Sequence, residues 1–130
     1  MATIKSFEEM EVWKRSRLFA DEIYKITSIG SFERDFKLRD QINGSSGSIM
    51  DNIAVGFERD GKKEFLQFLS IAKGSAGEVR SQLYRALDRK HISEIDFDKL
   101  KAEALELSKQ LSGFMKYLSG SELRGIKYKN

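Results

Sequence analysis

The residues able to do acid–base, nucleophilic or metal chemistry are few. The 130-residue chain has one histidine, His91, and no cysteine. Without cysteine there is no thiolate ligand, no thiol nucleophile and no disulfide. Helical bundles that hold two metals set Glu residues against Glu-x-x-His pairs. Here the residue three before His91 is Asp88, and no second pair exists. Glu64, Glu78 and Glu103 therefore read as surface carboxylates. Hydrolase-type nucleophile–base sets fail for want of a usable histidine. Gly74 and Gly77 lie inside a periodic helical stretch, not between a strand and a helix, so they are not a phosphate loop. The expectation is no catalytic residue, no bound metal and no cofactor.

Two features remain that could recognise a partner. On a helical wheel Lys62, Lys73, Arg80 and Tyr84 share one flank of a helix. Cations interleaved with an aromatic suit a nucleic-acid backbone; they equally suit the boundary where long side chains snorkel from core to water. Arg124, Lys127 and Lys129 add a basic tail, read as short and mobile. Charge is lopsided in the same sense. Residues 1–60 hold 9 Lys+Arg against 11 Asp+Glu, and residues 61–130 hold 14 against 9. That excess permits a polyanion partner without requiring one. The second feature is Asn52, on the inner edge of a helix beside Ile49 and Ile53. A buried amide must find partners, so it can fix register between helices. Ligand binding is the other use of such a group.

The elements that must position these residues are helices. Phe65, Leu69, Ala72, Ala76, Val79, Leu83 and Ala86 form a strict heptad seam, the period of a helix packed lengthwise against another. Ser70, Gly74, Gly77 and Ser81 form a small face on its far side. Each interior glycine costs a helix about 1 kcal/mol relative to alanine. Two of them one turn apart predict a close helix crossing or a subunit contact. The last helix has a matching stripe at Phe97, Leu100, Ala104, Leu107, Leu111, Phe114 and Leu118, with Ser93 and Asp96 as candidate caps and an end near Ser119-Gly120-Ser121.

The first helix is expected from Ser6, where Ser6 and Glu9 have capping-box spacing, to about Ser28-Ile29-Gly30. It carries two apolar stripes: Trp13, Ala20, Tyr24 and Thr27, and Val12, Phe19, Ile23 and Ile26. So broad an arc serves one wide core or a core plus a subunit contact. Residues 43–48, Asn-Gly-Ser-Ser-Gly-Ser, look like a linker by composition. Yet Leu38, Ile42, Ser45, Ile49, Ile53 and Gly56 keep helical phase straight through them. The phase predicts one helix from about Asp35 to about Phe57, with small residues where a neighbour packs closely. Arg59-Asp60-Gly61 is a turn, and the next helix runs from about Lys62 to about Arg89. Four helices on short connections give an all-α, antiparallel, up-down-up-down four-helix bundle, read as a single domain over residues 1–130.

The chain contains no proline, which suits long helix interiors. Its start lacks the apolar core of a signal peptide. No apolar run approaches the roughly 18 residues that a membrane span needs. The expectation is a cytoplasmic protein with no membrane partner.

Longer motifs resemble a known family. They are Phe7, Met10, Val12-Trp13 and Ile23-Tyr24, the run Leu38-Arg39-Asp40-Gln41-Ile42, the run Ser48-Ile49-Met50-Asp51-Asn52-Ile53-Ala54-Val55-Gly56, and the pattern Glu64-Phe65, Phe68-Leu69, Ile71-Ala72, Gly74-Ser75, Glu78. Together they resemble the 23S rRNA-intervening-sequence proteins over nearly the whole chain. The resemblance implies a four-helix bundle assembled as a ring-like homopentamer, with no established enzymatic activity. A similar protein is the accessory factor of diversity-generating retroelements, which binds a reverse transcriptase and nucleic acid. This chain departs from the family pattern at Asn43-Gly44, where relatives carry a basic pair, and at Met50 and Val55, where they carry Pro and Glu. The lost basic pair weakens a nucleic-acid role carried over from relatives.

The sequence reading is thus a non-enzymatic homo-oligomeric scaffold contacting RNA, DNA or a nucleic-acid-handling protein such as a reverse transcriptase. The rivals are a protein-only adaptor ring and a small-ligand bundle with a pocket lined by Asn52 and aromatics.

Overall fold

The computed structural model describes residues 4–120. Five α-helices follow a short 3-10 turn at Phe7–Glu9: α1 Glu11–Thr27, α2 Gly30–Arg34, α3 Phe36–Glu58, α4 Lys62–Asp88 and α5 Glu94–Ser119. No strand occurs among the described residues. The four long helices pack in a square, α1 on α3, α3 on α4, α4 on α5, and α5 back on α1. Short connections make every neighbour antiparallel, so the architecture is the all-α, up-down-up-down four-helix bundle. α3 and α4 share the most extensive contact, and α1 and α5 the least.

The core follows the stripes. All seven seam residues of α4 are fully buried. On α3, Leu38, Ile42, Ile49 and Ile53 face the same interior, and Ser45 and Gly56 are buried with them. α5 contributes its whole stripe, with Phe114 only partly buried. Residues 43–48 lie within the unbroken helix α3. Asp35 caps that helix, its Oδ1 accepting from the Leu38 N–H at 3.4 Å. Ser93 caps α5, its hydroxyl accepting from the Asp96 N–H at 3.1 Å.

Two details differ from the sequence reading. The first helix does not run from Ser6. The Glu9 carboxylate does accept from the N–H groups of Lys5 and Ser6, at 2.7 and 2.9 Å. These bonds hold its pKa below the usual carboxylate value. Met10 then breaks the helix with extended backbone, ψ 126°, and its side chain is buried in the core. Second, the connection between the first two long helices contains α2. Gly30 opens it with φ +60°, a conformation that glycine adopts without penalty, and Phe32 is thereby turned fully into the core. Of the two stripes read on α1, the one through Trp13 is uneven, with Thr27 buried and Trp13 partly buried. Phe19 and Ile23 are buried, while Tyr24 from the uneven stripe is 63% exposed.

Candidate functional site

The basic flank of α4 meets α5. Tyr84 packs edge-to-face on Phe97, with ring centroids 4.8 Å apart. Lys101 of α5 places its ammonium 5.3 Å from the Tyr84 ring centre and 5.8 Å from that of Phe97. The sequence reading had no reason to include Lys101; only the antiparallel register of α4 and α5 brings it beside Tyr84. Arg80 is half-buried, Lys73 is exposed and Tyr84 remains 46% exposed. Helical spacing sets Lys73 and Arg80 two turns apart, about 10 Å, on the same side as Tyr84. Lys62 lies on this flank too, at the first turn of α4. Lys62, Lys73, Arg80 and Tyr84 thus lie along one flank of α4 by helical spacing, and Lys101 joins them at Tyr84. Arg124, Lys127 and Lys129 lie outside the described residues.

The small face of α4 points away from the core. Ser70, Gly74 and Ser81 are exposed and Gly77 is half-buried. A Cβ placed on Gly74 or Gly77 would meet nothing within 4 Å. A close helix crossing at these glycines inside the chain is thereby corrected. The close approach falls at Gly56 instead, where a Cβ would stand 2.8 Å from the Phe68 Cβ and 3.0 Å from a Phe65 ring carbon.

Asn52 is half-buried. Its Nδ2 donates to the Ser48 carbonyl and the Ser48 hydroxyl, both at 2.8 Å. Both partners lie on its own helix. The link to α4 is made one step further on, by the Ser75 hydroxyl donating to Ser48 Oγ at 3.0 Å.

One polar cluster has no signal in local spacing. Ser31 Oγ lies 2.7 Å from His91 Nδ1, and His91 Nε2 lies 2.9 Å from Asp35 Oδ2. Arg89 donates to the same Asp35 oxygen at 2.9 Å, and Phe32 stacks on the imidazole at 5.1 Å. The hydrogen bond from His91, then that from Arg89, hold the Asp35 carboxyl at a pKa of about 2. The order of atoms is that of a nucleophile–base–acid relay, so the single histidine does have a hydroxyl and a carboxylate in reach. A relay needs donors aimed at a developing oxyanion and a space for the reacting carbonyl. The carboxylate is shared with Arg89, and the cluster ties the α4–α5 turn to the start of α3. That is a staple between chain segments. Asp88, the residue three before the histidine, takes no part in it.

A second long-range pair joins α1 to α5. Arg15 Nε donates to Glu103 at 2.6 Å and Nη2 at 3.1 Å, which raises the Arg15 pKa further. Glu103 is therefore a structural carboxylate, while Glu64 and Glu78 are exposed. No group of three or more His, Cys, Asp or Glu residues that could hold a metal occurs among the described residues. No described helix is long and apolar enough to cross a membrane.

One groove, of about 480 Å³, lies between the N-terminal turn and the end of α5, lined by Met10, Phe114 and Tyr117 among others. Three smaller ones lie along α1. Neither Asn52 nor His91 lines any of the four.

The fold defines the class as an all-α helical bundle. The chain belongs to the family of 23S rRNA-intervening sequence proteins, whose pattern matches residues 8–113. In fold it is similar to a crystal structure of a protein with unknown function from the S23 ribosomal protein family of Bacteroides thetaiotaomicron VPI-5482. The two share 25% identity and a TM-score of 0.74, over 81% of this chain and 98% of that one. No curated protein matches the chain.

Proposed function

We propose that the chain is a non-catalytic, homo-oligomeric scaffold in the cytoplasm, whose α4–α5 edge contacts the phosphates of a nucleic acid. The observation that carries this reading is the grouping of Lys101 with Tyr84 beside Lys73 and Arg80. A cation over an aromatic at a half-open edge presents both a charge for phosphate and a ring for a base. Five copies in a ring, the number implied by the family resemblance, would multiply a weak edge, because linked sites raise the effective concentration for each further contact. Arg124, Lys127 and Lys129 would extend the basic surface of each copy. The small face of Ser70, Gly74, Gly77 and Ser81 is the proposed contact between copies, since it is open within one chain. A reverse transcriptase or another nucleic-acid-handling protein is the fitting protein partner.

Binding of generic RNA and DNA at about 50 mM salt tests the reading, with affinity expected to fall steeply as salt rises and to show little sequence preference. Changing Lys73 and Arg80 together to Glu should weaken binding and flatten the salt dependence while the oligomer stays intact. Absence of binding by the wild type, or equal binding by the double variant, would overturn it in favour of a protein-only adaptor. That second reading has its own support in Ile95, 81% exposed at the start of α5, and Leu18 and Ile29, each about two-thirds exposed on or just after α1. Exposed apolar groups of this size suit a protein contact.

A further inference from the structure

Phosphate contacts alone do not tell a single strand from a duplex, because both present a charged backbone. An exposed aromatic ring beside those contacts can. Tyr84 is 46% exposed. Its ring contacts, Phe97 and the ammonium of Lys101, both come from α5. The exposed part of the ring is therefore the part turned away from α5. Arg80 stands about one helical turn from Tyr84, and Lys73 about three. Among the described residues Lys73, Arg80 and Lys101 have no carboxylate partner, in contrast to Arg15 and Arg89. A half-open ring thus sits beside three cations whose charge is not neutralised within the chain.

Such a ring suits the face of a nucleobase, and stacking of this kind tolerates any sequence because every base has a π-face. A duplex keeps those faces stacked on one another and yields them only at the cost of unstacking. A single strand can splay its bases out onto an aromatic side chain. We propose that Tyr84 is a stacking platform for an unpaired base, so that the α4–α5 edge selects single-stranded nucleic acid over duplex, with Lys73, Arg80 and Lys101 on the flanking phosphates. This rests on the phosphate contact proposed above for the same edge and adds the form of nucleic acid that the edge takes. Phe36 supplies a contrast. It is 63% exposed, with the Arg39 guanidinium 4.9 Å from its ring centre. That arginine is already paired with Asp40 at 3.2 Å.

Fluorescence anisotropy of the full-length protein at about 50 mM salt tests this, with a labelled strand alone and the same strand annealed to its complement. The wild type should bind the single strand more tightly. Tyr84→Leu, which keeps an apolar side chain against Phe97, should weaken single-strand binding by about 5- to 150-fold, the usual worth of one stacked base. It should leave duplex binding unchanged. Tyr84→Phe and Phe36→Leu should both behave as the wild type. Circular dichroism checks that each variant keeps its helices, and the wild-type comparison decides where one does not. Equal or tighter binding of the duplex by the wild type would overturn the proposal. So would equal losses on both forms in Tyr84→Leu, or a loss of the same size in Phe36→Leu. In those cases salt-sensitive binding that is weakened by changing Lys73 and Arg80 to Glu would still uphold the phosphate contact. No binding of either form by the wild type would overturn both readings together.

Discussion

Asp35 and His91 stand 56 positions apart in sequence and 2.9 Å apart in the fold, Oδ2 to Nε2. Because the carboxyl ionises at a pKa of about 2, it is an acceptor across the ordinary pH range, and the imidazole Nε2 carries the proton between them. One carboxylate thus caps α3, holds the α4–α5 turn through His91 and binds Arg89.

This arrangement fixes a pH dependence. The folded pKa of Asp35 lies below its ordinary value of 3.8. Its contribution to stability is therefore complete above the unfolded pKa and is lost as pH falls through the folded one. Asp35→Asn should lower stability at neutral pH by about 1.5–3 kcal/mol, the usual worth of hydrogen bonds to a charged group. The gap in melting temperature between wild type and variant should close as pH falls from about 4 to about 2. A gap that stays constant down to pH 2 would show that the carboxylate's charge is not what matters.

The glycines divide into two kinds. At Gly56 an added methyl would press on the Phe68 Cβ at 2.8 Å, an atom fixed to the backbone rather than the end of a flexible side chain. Gly56→Ala should destabilise by about 1–3 kcal/mol despite its better helix propensity. Gly74→Ala meets open space and should stabilise the folded subunit by up to about 1 kcal/mol. Chemical denaturation of both variants checks the opposite signs.

Residues 43–48 should exchange their amide hydrogens slowly, since they lie inside α3 with Ser45 and Ser46 buried. Hydrogen-exchange mass spectrometry checks this. Rapid exchange over all six would turn the bundle into two helical hairpins joined by a tether.

Assembly gives a further expectation. Light scattering at micromolar concentration should report a pentamer, and Gly74→Leu should lower that mass while leaving helicity unchanged. A monomeric wild type would remove the ring. A Gly74→Leu variant that assembles normally would remove the small face from its contacts.

Much of the bundle was legible because apolar phase is a property of one strand of sequence. The seams of α3, α4 and α5 were all readable, and phase outweighed composition at residues 43–48. The break at Met10 was not readable, because it depends on the core drawing one side chain inward after the capping turn. α2 was hidden for a similar reason: five residues are too few to show a period, and Phe32 announces its role only once the core exists. The Ser31–His91–Asp35 cluster was beyond reach, since its members are 56 and 60 positions apart. Glycine identity alone also misled. Gly74 and Gly77 drew attention as a pair, whereas the tight contact within the chain is at Gly56, which looked like one small step in an apolar stripe.

The square of helices has one seam unlike the others. α3 and α4 are joined by a turn of three residues and share the broadest contact. α1 and α5 come from opposite parts of the chain, and the Arg15–Glu103 pair that joins them spans 88 positions. Closing so long a loop costs more chain entropy than closing a hairpin, and its contacts are rewarded only after that cost is met. The α1–α3, α3–α4 and α4–α5 pairs all close across short connections, so the α1–α5 seam is the one whose contacts must wait for the others. Run in reverse, the same order makes the α1–α5 edge the place where the native bundle first opens.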